Sequence, residues 1–220
     1  MLTPLVVAVD GPSGSGKSST ARGVAQRLGL AYLDTGAMYR AMTWALLQRG
    51  VDLSDPAAIA EAAADVRVIA GTDAENPTIS ADGHDVSGPI RSDEVTSNVS
   101  LVAAVPQVRH LLVDMQRATI ASSHGIVVEG RDIGTTVAPA APVKVFLVAD
   151  VAARAARRTA EVGGSDAAAT RDALALRDQI DSTRTASPLT KPGDAIEVDS
   201  TFMTLDEVVD TIVRLVREQS

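Results

Sequence analysis

The chain has 220 residues, 45% of them hydrophobic, enough for one α/β domain with an insert or at most two small domains. Its formal charge of -8 argues against a surface built to release counterions from a polynucleotide, and its five aromatic residues (Tyr32, Tyr39, Trp44, Phe146, Phe202) are too few for a base-stacking platform. The lack of cysteine excludes disulfide frameworks, thiolate metal sites and cysteine nucleophiles, and three scattered histidines argue against a zinc centre.

In chain order, the first apolar run is Leu5-Val6-Val7-Ala8-Val9, which reads as a buried strand. It leads into Gly11-Pro12-Ser13-Gly14-Ser15-Gly16-Lys17-Ser18, which fits G-x-x-x-x-G-K-[ST], and then into a helical segment from Ser18 to Leu28. A triphosphate needs a concave nest of backbone N–H groups, and glycines let the chain turn tightly and approach the anion while the helix N-terminus adds free donors. The candidate nucleotide-binding set is therefore Gly11, Pro12, Ser13, Gly14, Ser15, Gly16, Lys17, Ser18 and Ser19. Lys17 is expected to stand exposed until nucleotide arrives and then to reach the β- and γ-phosphates, with the Ser18 hydroxyl on Mg²⁺.

The next strand is Ala31 to Leu33, followed by Asp34-Thr35-Gly36-Ala37-Met38-Tyr39-Arg40 and a helix from Met38 to Gln48 that stops at Gly50. Alanine-rich stretches at 57–64 and 152–169 reflect helix propensity. Val66 to Ala70, with Thr78 to Val86 turning at Asp82-Gly83, reads as a strand and a hairpin. This places a small antiparallel insert at about 65–100, expected to move as a lobe over a second substrate. Val105 to Ser123 is a long amphipathic helix, and strands follow at Ile126 to Val128, Val143 to Val148 and Ile196 to Val198. Helices fit Val151 to Val162, Ala167 to Arg184 and Leu205 to Glu218. Strands alternating with helices predict a three-layer, doubly wound parallel sheet of about five strands, the architecture of P-loop kinases.

Two arginines, Arg40 and Arg131, follow strands at the edge where open α/β sheets bind ligands, so they converge on the same crevice as Lys17. Joining two anionic substrates for phosphoryl transfer needs such clamps. With these pieces in view the sequence closely resembles the bacterial cytidylate kinase family among the nucleoside-monophosphate kinases. The matching residues are 10–17, 34–40, Val86-Ser87-Gly88-Pro89-Ile90-Arg91, Gly130-Arg131-Asp132-Ile133-Gly134-Thr135, Val143 to Leu147, Asp181-Ser182-Thr183-Arg184, Ser187-Pro188-Leu189 and Asp199-Ser200-Thr201.

The resemblance implies transfer of the ATP γ-phosphate to CMP or dCMP with Mg²⁺, with Arg40 and Arg131 on the acceptor phosphate. It implies Ser100, Arg109 and Asp132 at the cytosine, and Asp181, Arg184 and Thr35 at the sugar. It also puts a lid at about 154–180, where Arg154, Arg157 and Arg158 would close on the transferring group. Taken alone, Asp132 could instead cap a helix, Arg109 could be a surface arginine, and Arg177, Asp181 and Arg184 could form a solvated charge ladder. The lid arginines could likewise pair with Glu161. Glu129 stands where many relatives carry aspartate, which bears on how metal-bound water is held near Ser18. A kinase acting on UMP or a non-nucleotide acceptor is the nearest alternative. A GTPase is disfavoured because neither Asn76 nor Asn98 is followed by lysine. No basic residue precedes Lys17 and no apolar run nears the ~18 residues of a membrane span, so a cytoplasmic, monomeric enzyme is expected.

Overall fold

The computed structural model describes residues 5–162, 167–183 and 187–219. In chain order its strands are Leu5–Asp10 (β1), Ala31–Asp34 (β2), Val68–Ala70 (β3), Ile79–Ala81 (β4), His84–Asp85 (β5), Gly125–Gly130 (β6), Val143–Val148 (β7) and Ile196–Asp199 (β8). The α-helices are Lys17–Leu28 (α1), Thr35–Gln48 (α2), Pro56–Ala63 (α3), Asp93–Ala104 (α4), Pro106–Ser122 (α5), Val151–Val162 (α6), Ala167–Thr183 (α7) and Leu205–Gln219 (α8).

Five strands form one parallel sheet in the order β2-β6-β1-β7-β8, with β1 at its centre. Alternate side chains of β1 serve opposite faces. Val6 and Ala8 join Met42, Leu46 and Leu112 on the side of α2 and α5, while Val7 and Val9 join Val24, Val209 and Ile212 on the side of α1 and α8. Both faces are therefore apolar, which is why the strand reads as an unbroken hydrophobic run.

Local chemistry sets the helix ends. α2 begins at Thr35, three residues before the expected start, because the Asp34 carboxylate accepts the Ala37 N–H at 2.8 Å. α3 is capped by Asp55 with Pro56 in its first turn. Pro106 both ends α4, by holding Val105 extended, and starts α5.

The three-stranded antiparallel sheet β3-β4-β5 lies where the hairpin is expected, with Asp82 and Gly83 both at positive φ (51° and 82°) in its turn. Two aspects of the expected insert differ. Its C-terminal end, for which no element was predicted, runs into the helix α4, launched by a Ser92 cap. Nor does it hang as a free lobe. Val68, Ile79, Ala81 and Val86 share one core with α2 and α4, and the chain from Thr72 to Glu75 crosses the edge of β2. There Thr72 O accepts the Tyr32 N–H at 2.9 Å, while Ala74 O accepts from Arg22 Nε at 2.9 Å and Gln26 Nε2 at 3.0 Å. Ala74 is buried in the core of the opposite face. Among the described residues no helix is long and apolar enough to cross a membrane.

Candidate active site

The C-terminal ends of β1, β2 and β6 open into one crevice, the usual ligand position in an open α/β sheet. β1 runs straight into the phosphate-binding loop. Gly11 has φ +152°, and a Cβ there would come 2.1 Å from the carbonyl oxygen of Leu147, so only glycine fits beneath the loop. Gly16, at φ +87°, turns the chain into α1. Ser18 and Ser19 are exposed in the first turn.

Lys17 is buried, not exposed as expected, and its Nζ donates to the carbonyl of Pro12 at 2.6 Å. In a loop this tight the aliphatic stem has nowhere else to lie. Burial first, and the Arg131 guanidinium second, push its ammonium well below the ordinary lysine range. Glu129, at the end of β6, is shifted the opposite way, its carboxyl pushed up by burial and by Asp34. The Tyr32 hydroxyl donates to Glu129 Oε1 at 2.6 Å, and the Ser18 side chain lies near both.

Arg40 and Arg131 do converge. Arg40 Nη1 donates to Ile90 O at 3.1 Å and Thr96 Oγ1 at 2.9 Å, and Arg131 Nε donates to Asp181 Oδ2 at 2.9 Å. Arg158 and Arg91 face Arg40, while Arg177 faces Arg131, Arg40 and Arg158. Burial and this mutual repulsion push Arg40 down to about 10 and Arg177 to about 9. The Nε of Arg177 is buried and has no partner among the described residues. Mutually repelling, half-dehydrated guanidiniums around a phosphate-binding loop form a receptor for a polyanion.

Beside it lies a buried ion pair. Arg109 and Asp132 are both buried and ion-paired through Nη2 and Oδ2. The Arg109 guanidinium sits 5.4 Å from the Tyr39 ring centroid and also donates to Ala103 O at 3.3 Å. Asp132 precedes a π-helical turn, Ile133–Val137, yet its side chain does not cap it, and Arg109 is no surface residue. Both bland alternatives for these residues fail. Ser100 is half-buried on α4, one turn before the Ala103 carbonyl that holds Arg109.

The Thr35 hydroxyl is spent on the backbone, donating to Glu129 O at 2.7 Å. Asp181 is buried against Arg131, so the stretch around it is not a solvated ladder; Arg184 lies outside the described residues. The three lid arginines part company. Arg154 is buried, donating to Ser13 O at 2.8 Å and Asp178 Oδ2 at 2.5 Å; the side chain of Glu161 lies outside what the structure describes. Arg157 Nη1 donates to Ser200 Oγ at 3.1 Å. Arg158 alone turns to the cationic group.

Sequence reasoning left Arg91, Arg177, Asp178 and Tyr32 without a role. Arg177 was legible from its i, i+4 spacing with Asp181, and Arg91 from the motif it closes. Nothing local marks Asp178, whose Oδ1 accepts the Ser13 N–H at 3.1 Å across 165 residues.

A family model described as cytidylate kinase matches residues 7–218. The chain belongs to the cytidylate kinase family. Family members include the cytidylate kinase of Streptomyces griseus, 58% identical over 96% of this chain and 92% of its own, and that of Nocardia farcinica, 53% identical over 99% and 95%. Among solved structures, a gluconokinase from Sinorhizobium meliloti covers 99% of this chain and 94% of its own with a TM-score of 0.55 at 16% identity, which shows the shared fold.

Proposed function

We propose that the protein transfers the γ-phosphate of ATP to CMP and dCMP, giving the diphosphates, and so serves pyrimidine nucleotide metabolism. The observation that carries this is the adjacency of two groups of charged side chains. A cationic one is built by Lys17, Arg40, Arg131, Arg158 and Arg177, and a buried one presents the Arg109–Asp132 pair.

Each group has its chemistry. The loop 11–19 and Lys17 take the donor phosphates, and Arg40 and Arg131 take the acceptor phosphate. That phosphate is itself an anionic nucleophile, so no side chain need act as general base. Cytosine offers an amino donor where uracil offers a carbonyl, so the Asp132 carboxylate favours the former, and Arg109 donates to the ring acceptors. Asp181, held by Arg131 on the acceptor side, contacts the sugar with Thr35; Arg184, which the family resemblance also gives to the sugar, lies outside the described residues. Hard oxygen donors meet at Ser18, Glu129 and the nearby Asp34, a set that suits Mg²⁺, which takes one or two carboxylates and leaves its other positions to phosphate and water. When bound, the ion would neutralise charge on the β- and γ-phosphates. ATP with nucleoside monophosphates as substrates supports a cytoplasmic location.

A panel of nucleoside monophosphates in a coupled ADP-release assay tests the reading. CMP and dCMP should exceed UMP in kcat/KM by at least about tenfold, the worth of one donor–acceptor match. Equal turnover of UMP would overturn the base assignment.

A further inference from the structure

Asp10 is the last residue of β1 and the one before Gly11, and it is 2% exposed. None of the phosphate or base contacts argued above uses it. Its two carboxylate oxygens are nevertheless fully engaged. Oδ1 accepts the N–H of Ile133 at 2.8 Å and Oδ2 that of Gly134 at 2.7 Å. Those two residues directly follow Arg131 and Asp132. They open a π-helical turn, whose first amides have no partner within the turn itself. Asp10 supplies the missing acceptors from another strand.

We propose that Asp10 is a positioning residue that fixes the segment 131–134 to the root of the phosphate-binding loop, so that the acceptor contacts are held in register with the donor loop. The β1–β6 pairing already aligns Asp10 with Gly130, and the carboxylate extends that register past the end of the sheet, where backbone pairing stops. A single rigid anion bonded to two consecutive amides holds both the direction and the rotation of the turn. Phosphoryl transfer needs donor and acceptor placed to within a fraction of an ångström, and a segment that rocks about Gly130 would carry Arg131 and Asp132 with it. Close packing on the far side completes the seat. A Cβ on Gly134 would meet Pro192 Cγ at 2.9 Å, Lys144 Cδ at 3.2 Å and Asp10 Oδ2 at 3.4 Å.

The inference rests on the reading of Arg131 and Asp132 as acceptor contacts, and its test separates the two. Asp10→Asn keeps the shape but turns one accepting oxygen into an amide that faces an N–H. In the nucleotide-free variant, amide hydrogen exchange over residues 131–136 should rise at least tenfold while α1 stays protected. The KM for CMP should rise about tenfold, and the affinity for a fluorescent ATP analogue should stay within twofold of the parent. Exchange in 131–136 that matches the parent would overturn the proposal, as would equal losses of CMP and ATP-analogue binding, the mark of general loosening. Faster exchange with an unchanged KM for CMP would uphold the clamp and overturn the acceptor reading instead. If Asp10→Asn does not fold, Gly134→Ala disturbs the same seat from the other side and should give the same split between CMP and ATP analogue; an even loss there counts against the proposal.

Discussion

Lys17 shows how far a functional side chain can sit from its own stability optimum. Its ammonium is buried, repelled by Arg131 and offset in part by Glu129 and Asp10, and among the described residues only the Pro12 carbonyl is directly bonded to it. A charge so placed costs the empty protein free energy that donor phosphates would return. Lys17→Met should therefore lose about 10² to 10³ in kcat, as expected for removal of a phosphate clamp, yet melt no lower than the parent. A variant that keeps its turnover would remove the donor assignment of this loop. Asp132 makes the opposite wager. Asp132→Asn leaves the buried Arg109 without an anion and replaces an acceptor with a group that also donates, so it should weaken CMP more than UMP. Loss of one buried match is worth roughly 1 to 3 kcal/mol, or about tenfold to a hundredfold in the CMP/UMP ratio of kcat/KM. Measuring both substrates on one preparation cancels any general loss of stability, and an unchanged ratio would shift cytosine recognition to Ser100 and Arg109.

At the scale of elements, the α6–α7 pair bridges the two halves of the crevice. One turn of α7 carries Asp178 to the Ser13 amide and Arg154, and Asp181 to Arg131. The hairpin is thus fastened to both the donor loop and the acceptor segment through two carboxylates. Asp178→Ala should loosen the donor-side fastening and admit water, so ATP hydrolysis without acceptor should rise several-fold relative to CMP phosphorylation. A constant ratio of the two rates would show that the fastening does not govern water access. This bridge also marks where reading the sequence ends. The five parallel strands and their helices were legible because apolar runs and helical spacing are local signals. The family motifs carried the two charged groups in the same way. Asp178 and the Thr72–Glu75 crossing were not legible, since each depends on bonds between segments far apart in the chain, and α4 was given no element of its own because its Ser92 cap was overlooked next to a strong hairpin signal. Lys17 was misjudged for a related reason: the motif fixes its identity but not the carbonyl it rests on.

For the molecule as a whole, Asp10 makes stability depend on pH in a direction that can be worked out. Burial, the largest cause, raises its carboxyl from 3.8 to about 6, against the lowering effect of the Gly134 and Ile133 amides. The folded form therefore holds this proton more tightly than the unfolded chain, so stability from this group falls as pH rises from about 4 to about 6 and stays lower above. Asp10→Asn removes that slope. The unfolding free energy of the variant minus that of the parent should grow by roughly 2 to 3 kcal/mol between pH 4 and pH 7. Surface carboxylates such as Asp52 and Asp82, which are shifted the other way, cancel in this difference. Denaturant melts at the two pH values measure it, and a flat difference would show that Asp10 titrates at its ordinary value in the fold.

The crossing of Thr72 to Glu75 over β2 bears on more than the insert's own anchorage. A parallel sheet ends in a strand with one row of amides unmatched, an invitation to pair with the same strand of another copy. Here that invitation is declined by the chain itself: the Tyr32 N–H is occupied by Thr72, and Arg22 and Gln26 hold the covering segment down. The segment that anchors the antiparallel sheet thus also guards against aggregation. Shortening it would expose a sheet border as well as free the antiparallel sheet from its anchorage, so deletions made there would carry a cost in solubility.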